Sequence, residues 1–439
     1  MQYYSSRDSS RYLVSFEDAL LKGLAPDGGL YLPDSIPKID PQSWKTSHSL
    51  ADLGKKVLHA WLKDEIPQAA LNSIVEDALN FPCPLVKLSD DLWVLELFHG
   101  PTLSFKDFGA RTMARLMQYF LKKRQEQRII LVATSGDTGS AVADGFAGQD
   151  NIEVVLLYPK GKVSKVQERQ LIVSRPGVRS FAVEGNFDDC QRMVKEAFLD
   201  PDLSHLPLSS ANSINIGRLL PQSLYYLWAI TQLMPQAPAP VRGVTQDDYP
   251  VNICVPSGNL GNLTGGILAA LSGQKVNRFI AAHNANHFFP DYLQAEVQAF
   301  DFHKTIATVS NAMDVGSPSN FERLYHLLAD DVLKSWIWGT SIDDQSTFKR
   351  IKKSYEAFGY VACPHTAVGL EGVVRYRQAT GDTSPVISLA CAHPAKFPEA
   401  ITHALNIETP KEEALELLWQ KDTNVISLEP ELESLKRQL

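Results

Sequence analysis

Residues 129–139 read Ile-Ile-Leu-Val-Ala-Thr-Ser-Gly-Asp-Thr-Gly. The apolar run is too short for a helix and too uniform for a strand with one wet face. It suits a strand buried on both faces. The turn that follows is rich in hydroxyls and glycine, and a helix opens from it. The same design returns at 152–157, ending in Tyr158-Pro159, at 251–255, ending in Pro256-Ser257-Gly258, and at 386–390. Short buried strands separated by helices predict an α/β protein whose parallel sheets are covered on both faces. Ligands of such sheets sit beyond the carboxyl ends of the strands, where these turns fall.

Outward from this core the signals are weaker. Leu30, Tyr31 and Leu32 read as a short strand after the Gly28-Gly29 turn. Over 50–80 the apolar residues Leu53, Val57, Leu58, Trp61 and Leu62 recur on one helical face, until Phe81-Pro82-Cys83-Pro84 breaks the pattern. A strand is expected over 92–98 and a helix over 105–123. Residues 234–250 carry prolines 235, 238, 240 and 250 and read as a linker-like excursion. Thr409-Pro410-Lys411-Glu412 reads as a capped helix start. No solenoid repeat is visible.

Composition narrows the function. With 439 residues, 44% apolar and 9% aromatic, the chain has material for two or three domains. Its formal charge of -8 argues against broad nucleic-acid binding but permits a local anion pocket. The cysteines at 83, 190, 254, 363 and 391 are scattered, which disfavours disulfides and a zinc ribbon. No basic leader and no run of 18 apolar residues is present, so a soluble cytoplasmic protein without a membrane partner is expected.

Four segments could carry chemistry. In 99–108, Lys106 opens a helix, where the dipole disfavours an ammonium. Either Asp107 compensates, or the lysine is neutral as Schiff-base chemistry needs, or it is an ordinary surface lysine. In 257–266, the glycines of Ser-Gly-Asn-Leu-Gly-Asn-Leu-Thr-Gly-Gly let backbone N–H groups converge at a helix start. That is a cradle for a monophosphate, lacking any nucleotide fingerprint, or else a tight turn. In 134–139, hydroxyls and free amides suit a carboxylate, with Asp137 turned inward to order the loop. In 210–218, Asn212, Asn215 and Arg218 repeat at helical spacing, so they are expected to share a face as an anion clamp or a bonded helix edge. His283, His287 and His303 have no metal-binding spacing and no acidic partner in register, so no metal is expected. His365 and His393 are pocket edges or core histidines.

Taken together, the segments at 3–32, HGPTLSFKD at 99–107, TSGDTG at 134–139, SANSINIGRLLPQ at 210–222, PSGNLGN at 256–262, MDVGSPSNFER at 313–323, PHTAVG at 364–369 and AHPAKF at 392–397 resemble the threonine synthases. These are pyridoxal-phosphate enzymes of fold type II, and the likeness is to their longer bacterial and fungal class. The resemblance implies an N-terminal α+β domain (1–100), a small mobile α/β domain carrying the Schiff-base lysine (101–235) and a large α/β domain with the cofactor-phosphate loop (236–439), to which N-terminal segments can contribute. It implies that Lys106 forms the imine with pyridoxal 5'-phosphate and then carries protons. Phe105 lies near the cofactor ring, and Gly258, Asn259, Leu260, Gly261 and Asn262 bind its phosphate. Ser135, Gly136, Asp137 and Thr138 hold the substrate carboxylate. Asn212, Ser213, Asn215 and Arg218 serve the substrate phosphate, with Thr102 and Ser104 as helpers. The implied reaction is water addition to O-phospho-L-homoserine with loss of phosphate, giving L-threonine. The partner is thus a small anionic amino acid, and the state a monomer or homodimer.

One position departs from the family. Threonine is usual where Cys391 stands, facing the pyridine nitrogen, and related dehydratases resemble this chain there. A β-eliminating enzyme of the same fold is therefore the nearest rival, opposed by the 210–218 and 317–323 segments. A lysine-less binding protein is the rival from another class, and Lys106 in full context opposes it.

Overall fold

The computed structural model describes residues 1–235 and 250–439. The linker-like stretch 234–250 therefore lies, apart from its ends, outside the described residues. Strands β1 (Gln2–Ser5), β2 (Val14–Ser15) and β3 (Tyr31–Pro33) form a small antiparallel sheet with β1 central. The 50–80 stretch is two helices, Leu50–Leu62 and Gln68–Ala78, where the periodicity predicts one. Pro67 divides them: it has no N–H to offer the preceding turn and disfavours helix at Ile66. Both helices still bury one stripe, Leu53, Val57 and Leu58 on the first and Leu71 and Val75 on the second.

Two larger sheets carry the site. One contains β4 (Leu85–Ser89), β5 (Leu92–Glu96), β10 (Asn252–Pro256), β11 (Arg278–His283), β12 (Ile337–Ser341) and β13 (Val386–Ala390), in the spatial order β12-β11-β10-β13-β5-β4. All its pairs are parallel except the β4–β5 hairpin. The other contains β6 (Arg128–Ala133), β7 (Ile152–Pro159), β8 (Val178–Val183), β9 (Leu208–Ser209) and β14 (Ile426–Leu428), in the order β14-β8-β7-β6-β9 and wholly parallel. Every residue of β10 and β13 is buried, as their apolar runs require.

The chain visits these sheets out of order. Residues 85–96, which precede the five-stranded sheet in the chain, belong to the six-stranded one, and residues 426–428, which follow the six-stranded sheet, return to the five-stranded one. The 236–439 stretch thus does not stay with a single sheet. The helix start expected at Thr409 is absent. That hydroxyl instead donates to Pro398 O at 3.3 Å, and the helix begins later, Glu413–Glu416, without a side-chain cap.

Candidate active site

The carboxyl ends of β6, β10 and β13 converge on a cavity of about 660 Å³. It is walled by 256–262 after β10, by Ser135, Asp137 and Thr138 after β6, and by Cys391 after β13. Phe105 and Lys106 open onto it at the start of the helix Lys106–Arg124. Backbone bonds fix that helix start. Phe105 N–H donates to Cys391 O at 2.8 Å and His393 N–H donates to Leu103 O at 3.0 Å. Lys106 therefore sits beside Cys391 although the two are far apart in the chain.

Charge at Lys106 is set from three sides. Burial lowers its pKa to about 8; Asp137 opposes the shift, while Arg218 and Lys396 add to it. Asp107, a candidate to compensate Lys106, turns back instead. It accepts from Thr102 N at 2.9 Å and Thr102 Oγ1 at 2.6 Å, and burial raises its pKa to about 6. The carboxylate that answers the lysines is Asp137. Its Oδ1 lies 2.7 Å from Lys396 Nζ and accepts from Gln167 Nε2 at 3.0 Å. Burial would raise the Asp137 carboxyl, yet Lys396, then Lys106 and His365, hold it well below the usual carboxylate range. Lys396 is wholly buried and also donates to Thr102 O at 2.8 Å. Within AHPAKF it carries no visible signal of this partnership.

The 256–262 loop has the form of an anion cradle. The helix Gly261–Leu271 starts without a side-chain cap, and Leu260 takes a left-handed φ of 60°. Asn259 braces the loop, donating to Ser213 Oγ at 2.8 Å and accepting from Ser319 N at 2.5 Å. Tyr225 and Tyr226 donate to Asn262 Oδ1 at 2.6 and 2.7 Å. The buried Nδ2 of Asn262 has no hydrogen-bond partner among the described residues, and the residue lines the cavity. A buried donor left unpaired is costly unless a ligand takes it. At Gly258 an added Cβ would lie 2.7 Å from Met313 Cα, which is backbone and cannot yield locally. Gly258→Ala should therefore cost about 1–3 kcal/mol of stability. It should also weaken phosphate-bearing ligands, as checked by thermal melting beside equilibrium binding of pyridoxal phosphate.

Four of the expected site residues do not line the cavity. Thr102 is consumed by Asp107. Ser104 is buried in a bridge to Ala392. Gly136, at φ 130°, packs against the Gln167 side chain. Asn215 is the N-cap of the short helix Ile216–Leu219, accepting from Gly217 N and donating to Leu20 O and Ser210 O. The helical spacing of Asn212, Asn215 and Arg218 is thus no shared face, because only Arg218 lies within the helix. Asn212, Ser213 and Arg218 do line the cavity. Arg218 is buried, donates from Nη1 to Ala211 O at 2.9 Å, and has an unpartnered Nε. From 313–323, Arg323 is a strut: it donates to Tyr31 O at 3.1 Å, to Ser213 O at 2.9 Å and to Ile214 O.

The remaining candidates are neutral. Burial raises the Cys391 thiol well above its ordinary value. Burial lowers His365 to about 4, and its Nε2 accepts from Ala312 N at 3.1 Å. His283 is a core histidine, lowered by burial to about 3. The cavity is also lined by Gln191, Arg192, Lys195 and Leu199 of the helix Phe187–Leu199, which no motif marks.

Residues 79–392 match the family described as pyridoxal-phosphate dependent enzyme. Residues 2–79 match the threonine synthase N terminus and 366–439 the threonine synthase C-terminal family. The chain is 40% identical to the threonine synthase of Haemophilus influenzae over 92% of its own length and 91% of the relative's. The chain belongs to the threonine synthase family. Among solved threonine synthases, that of Escherichia coli superposes with a TM-score of 0.89 at 36% identity, covering 100% of this chain and 99% of the other. The pyridoxal-phosphate-bound threonine synthase of Brucella melitensis gives 0.89 at 35%, covering 100% and 98%. The fold-type-II architecture with its N-terminal extension is thereby established. The threonine synthase cofactor, pyridoxal phosphate, also suits what the cavity offers. A lysine shifted toward neutrality would suit an aldehyde, and an uncapped helix start with an amide donor unpaired among the described residues would suit a phosphate.

Proposed function

We propose that this protein converts O-phospho-L-homoserine and water to L-threonine and inorganic phosphate, as a pyridoxal-phosphate-dependent carbon–oxygen lyase closing threonine biosynthesis. The observation that carries the reading is the opening of Lys106 onto a cavity that the uncapped start of Gly261–Leu271 also lines, in a chain matched along its length by threonine synthases. When bound, the cofactor supplies an electron sink for the carbanion formed at the substrate's α-carbon.

The protein's own groups do the rest. Gly258 to Asn262 would hold the cofactor phosphate through backbone N–H groups and Asn262 Nδ2. Lys106 Nζ would be the residue that holds the cofactor covalently, and as a free amine it would move protons on and off the substrate carbons. A pKa of about 8 suits that task, because both protonation states are populated near neutral pH. Phe105 and the neutral Cys391 thiol, which line the cavity, would border the cofactor ring. Ser135 and Thr138 offer hydroxyls and helix-start amides to the substrate carboxylate. Asp137 supplies no donor to it, being occupied by Lys396 and Gln167. Arg218, Asn212 and Ser213 receive the substrate phosphate, with Lys195 at the rim. Residues 101–235, joined by β14, form the smaller unit that moves toward the larger one and excludes water from the site.

Purified protein loaded with cofactor should release threonine and phosphate one for one from O-phospho-L-homoserine. No threonine from this substrate, with a 2-oxoacid released instead from phosphoserine, serine or threonine, would move the protein to the β-eliminating enzymes of this fold. A second expectation follows from Lys106. The rate at which cofactor-free protein forms its imine should rise with pH through an inflection near about 8, well below the ~10.4 of free lysine. Stopped-flow absorbance reads this directly.

A further inference from the structure

His287, Asp291 and His303 place one ligand atom each within 4.8 Å of one another. His287 immediately precedes the short helix Phe288–Leu293, and Asp291 lies one turn on, so their side chains share a face. The His287 Nδ1 to Asp291 Oδ2 distance is 2.6 Å. His303 arrives from the irregular stretch beyond, with Nε2 3.9 Å from the same oxygen. An aromatic floor fixes the backbone beneath. Phe288 packs edge-on against Phe302 at 4.8 Å and against Phe321 at 5.1 Å. The three side chains are 41%, 14% and 32% exposed, so an ion can enter and keep a water.

We propose that His287, Asp291 and His303 bind one zinc ion, with the fourth position open to water. Zinc bonds of about 2.0–2.2 Å to nitrogen and oxygen, arranged tetrahedrally, set ligand atoms roughly 3.3 Å apart. The two separations to Asp291 Oδ2, 2.6 and 3.9 Å, bracket that value and all three ligand atoms lie within 4.8 Å, so side-chain rotations can bring them to it. Two imidazoles and a carboxylate are a donor set that zinc accepts, and three protein ligands with an open fourth position are a recurrent arrangement for it. The sequence hides the site because the third ligand lies outside the helix that carries the other two. His303, Lys304 and Thr305 also line the active-site cavity. The ion therefore ties this part of the cavity wall to Phe288–Leu293 and adds positive charge to a rim that meets an anionic substrate. Other histidine–carboxylate pairs, His99 with Glu96 and His393 with Glu412, bring only two ligands each.

The test uses untagged, cofactor-loaded protein stripped with chelator and titrated with zinc chloride by calorimetry. One equivalent should bind. His287→Ala and His303→Ala should each weaken binding at least ~10-fold, since losing a ligand costs no less than losing an outer-shell partner. Asp291→Asn, which keeps the side-chain shape, should do the same, while His326→Ala should leave binding unchanged. Zinc should slow hydrogen exchange over 301–308 in the parent protein and not in His303→Ala. No bound zinc at ~0.1 mM, or equal binding by the parent and both histidine variants, would overturn the proposal and leave the cluster a hydrogen-bonded pair with a neighbour.

Discussion

Lys106→Ala should fold normally and lose threonine formation by ~10⁴-fold or more. Two functions leave with one amine. The covalent hold on the cofactor is lost, and so is the proton carrier, which alone is worth about 10²–10⁴-fold. No neighbour replaces it. Lys396 is buried against Asp137 and Thr102 O, Arg218 is a guanidinium that stays charged, and His365 is already an acceptor for Ala312 N. Stability should hold, because the substitution removes a cation from beside two others. The melting temperature should shift by no more than about 1 kcal/mol's equivalent, a few degrees at most. Lys106→Arg sharpens the test. Its charge and bulk are retained, yet a guanidinium with a pKa above ~12 neither forms the imine nor carries the proton. Borohydride should trap the cofactor on the parent protein and on neither variant. Threonine formation by either variant within about a hundredfold of the parent would remove Lys106 from the proton-carrying role.

What could be read locally was read from local chemistry. The strands at 128–133, 252–256 and 386–390 declare themselves because burial on both faces demands unbroken apolar runs. The 256–262 cradle is legible because glycines at a strand end before an apolar helix have few other uses. Lys106 stands out because an ammonium at a helix start needs an explanation. Contacts made between distant segments leave no such trace. Nothing near Lys396 announces that Asp137 is its partner. Nothing in Tyr225-Tyr226 announces that both hydroxyls reach Asn262, since adjacent helical residues normally face apart. Periodicity also misleads where its premise fails. The spacing of Asn212, Asn215 and Arg218 assumes a helix that begins only at Ile216, after Asn215 has been spent as its cap. At 50–80 the apolar stripe runs on across Pro67, and the proline divides the backbone without interrupting the pattern of burial. The expectation that no acidic partner stands in register with these histidines is corrected, because Asp291 lies one helical turn from His287, and His303 alone is brought in by the chain folding back beyond the short helix.

Lys396→Met should damage the protein in two ways that pH separates. The side chains of Lys396 and Asp137 are 0% and 4% exposed, 2.7 Å apart. Removing one member of a buried pair strands the other and costs about 3–5 kcal/mol, read as a lower denaturation midpoint. Asp137 would then keep Gln167 and turn to Lys106 as its remaining ammonium. Lys106 loses the repulsion of Lys396 and meets a more demanding carboxylate, so its pKa climbs from about 8 toward the ordinary lysine value. The alkaline limb of cofactor uptake should move by up to ~2 pH units, cutting the reactive amine roughly 100-fold near neutrality. Asp137→Asn should shift that limb the other way, because it removes the charge that favours protonated Lys106. It too should destabilise, by stranding Lys396. Combining the two substitutions removes both charges, so the double variant should be more stable than the sum of the single losses. Acid supplies the sign check. The Asp137 carboxyl is held below its unfolded value, so its contribution is complete above the unfolded carboxyl pKa near ~4 and fades as pH falls further. The stability gap between the parent and Lys396→Met should accordingly be full at neutral pH and narrow in acid. A lower midpoint with an unmoved uptake limb would make the pair a structural strut alone, while movement of the limb in opposite directions in the two single variants would show that the Asp137–Lys396 pair sets the charge on Lys106.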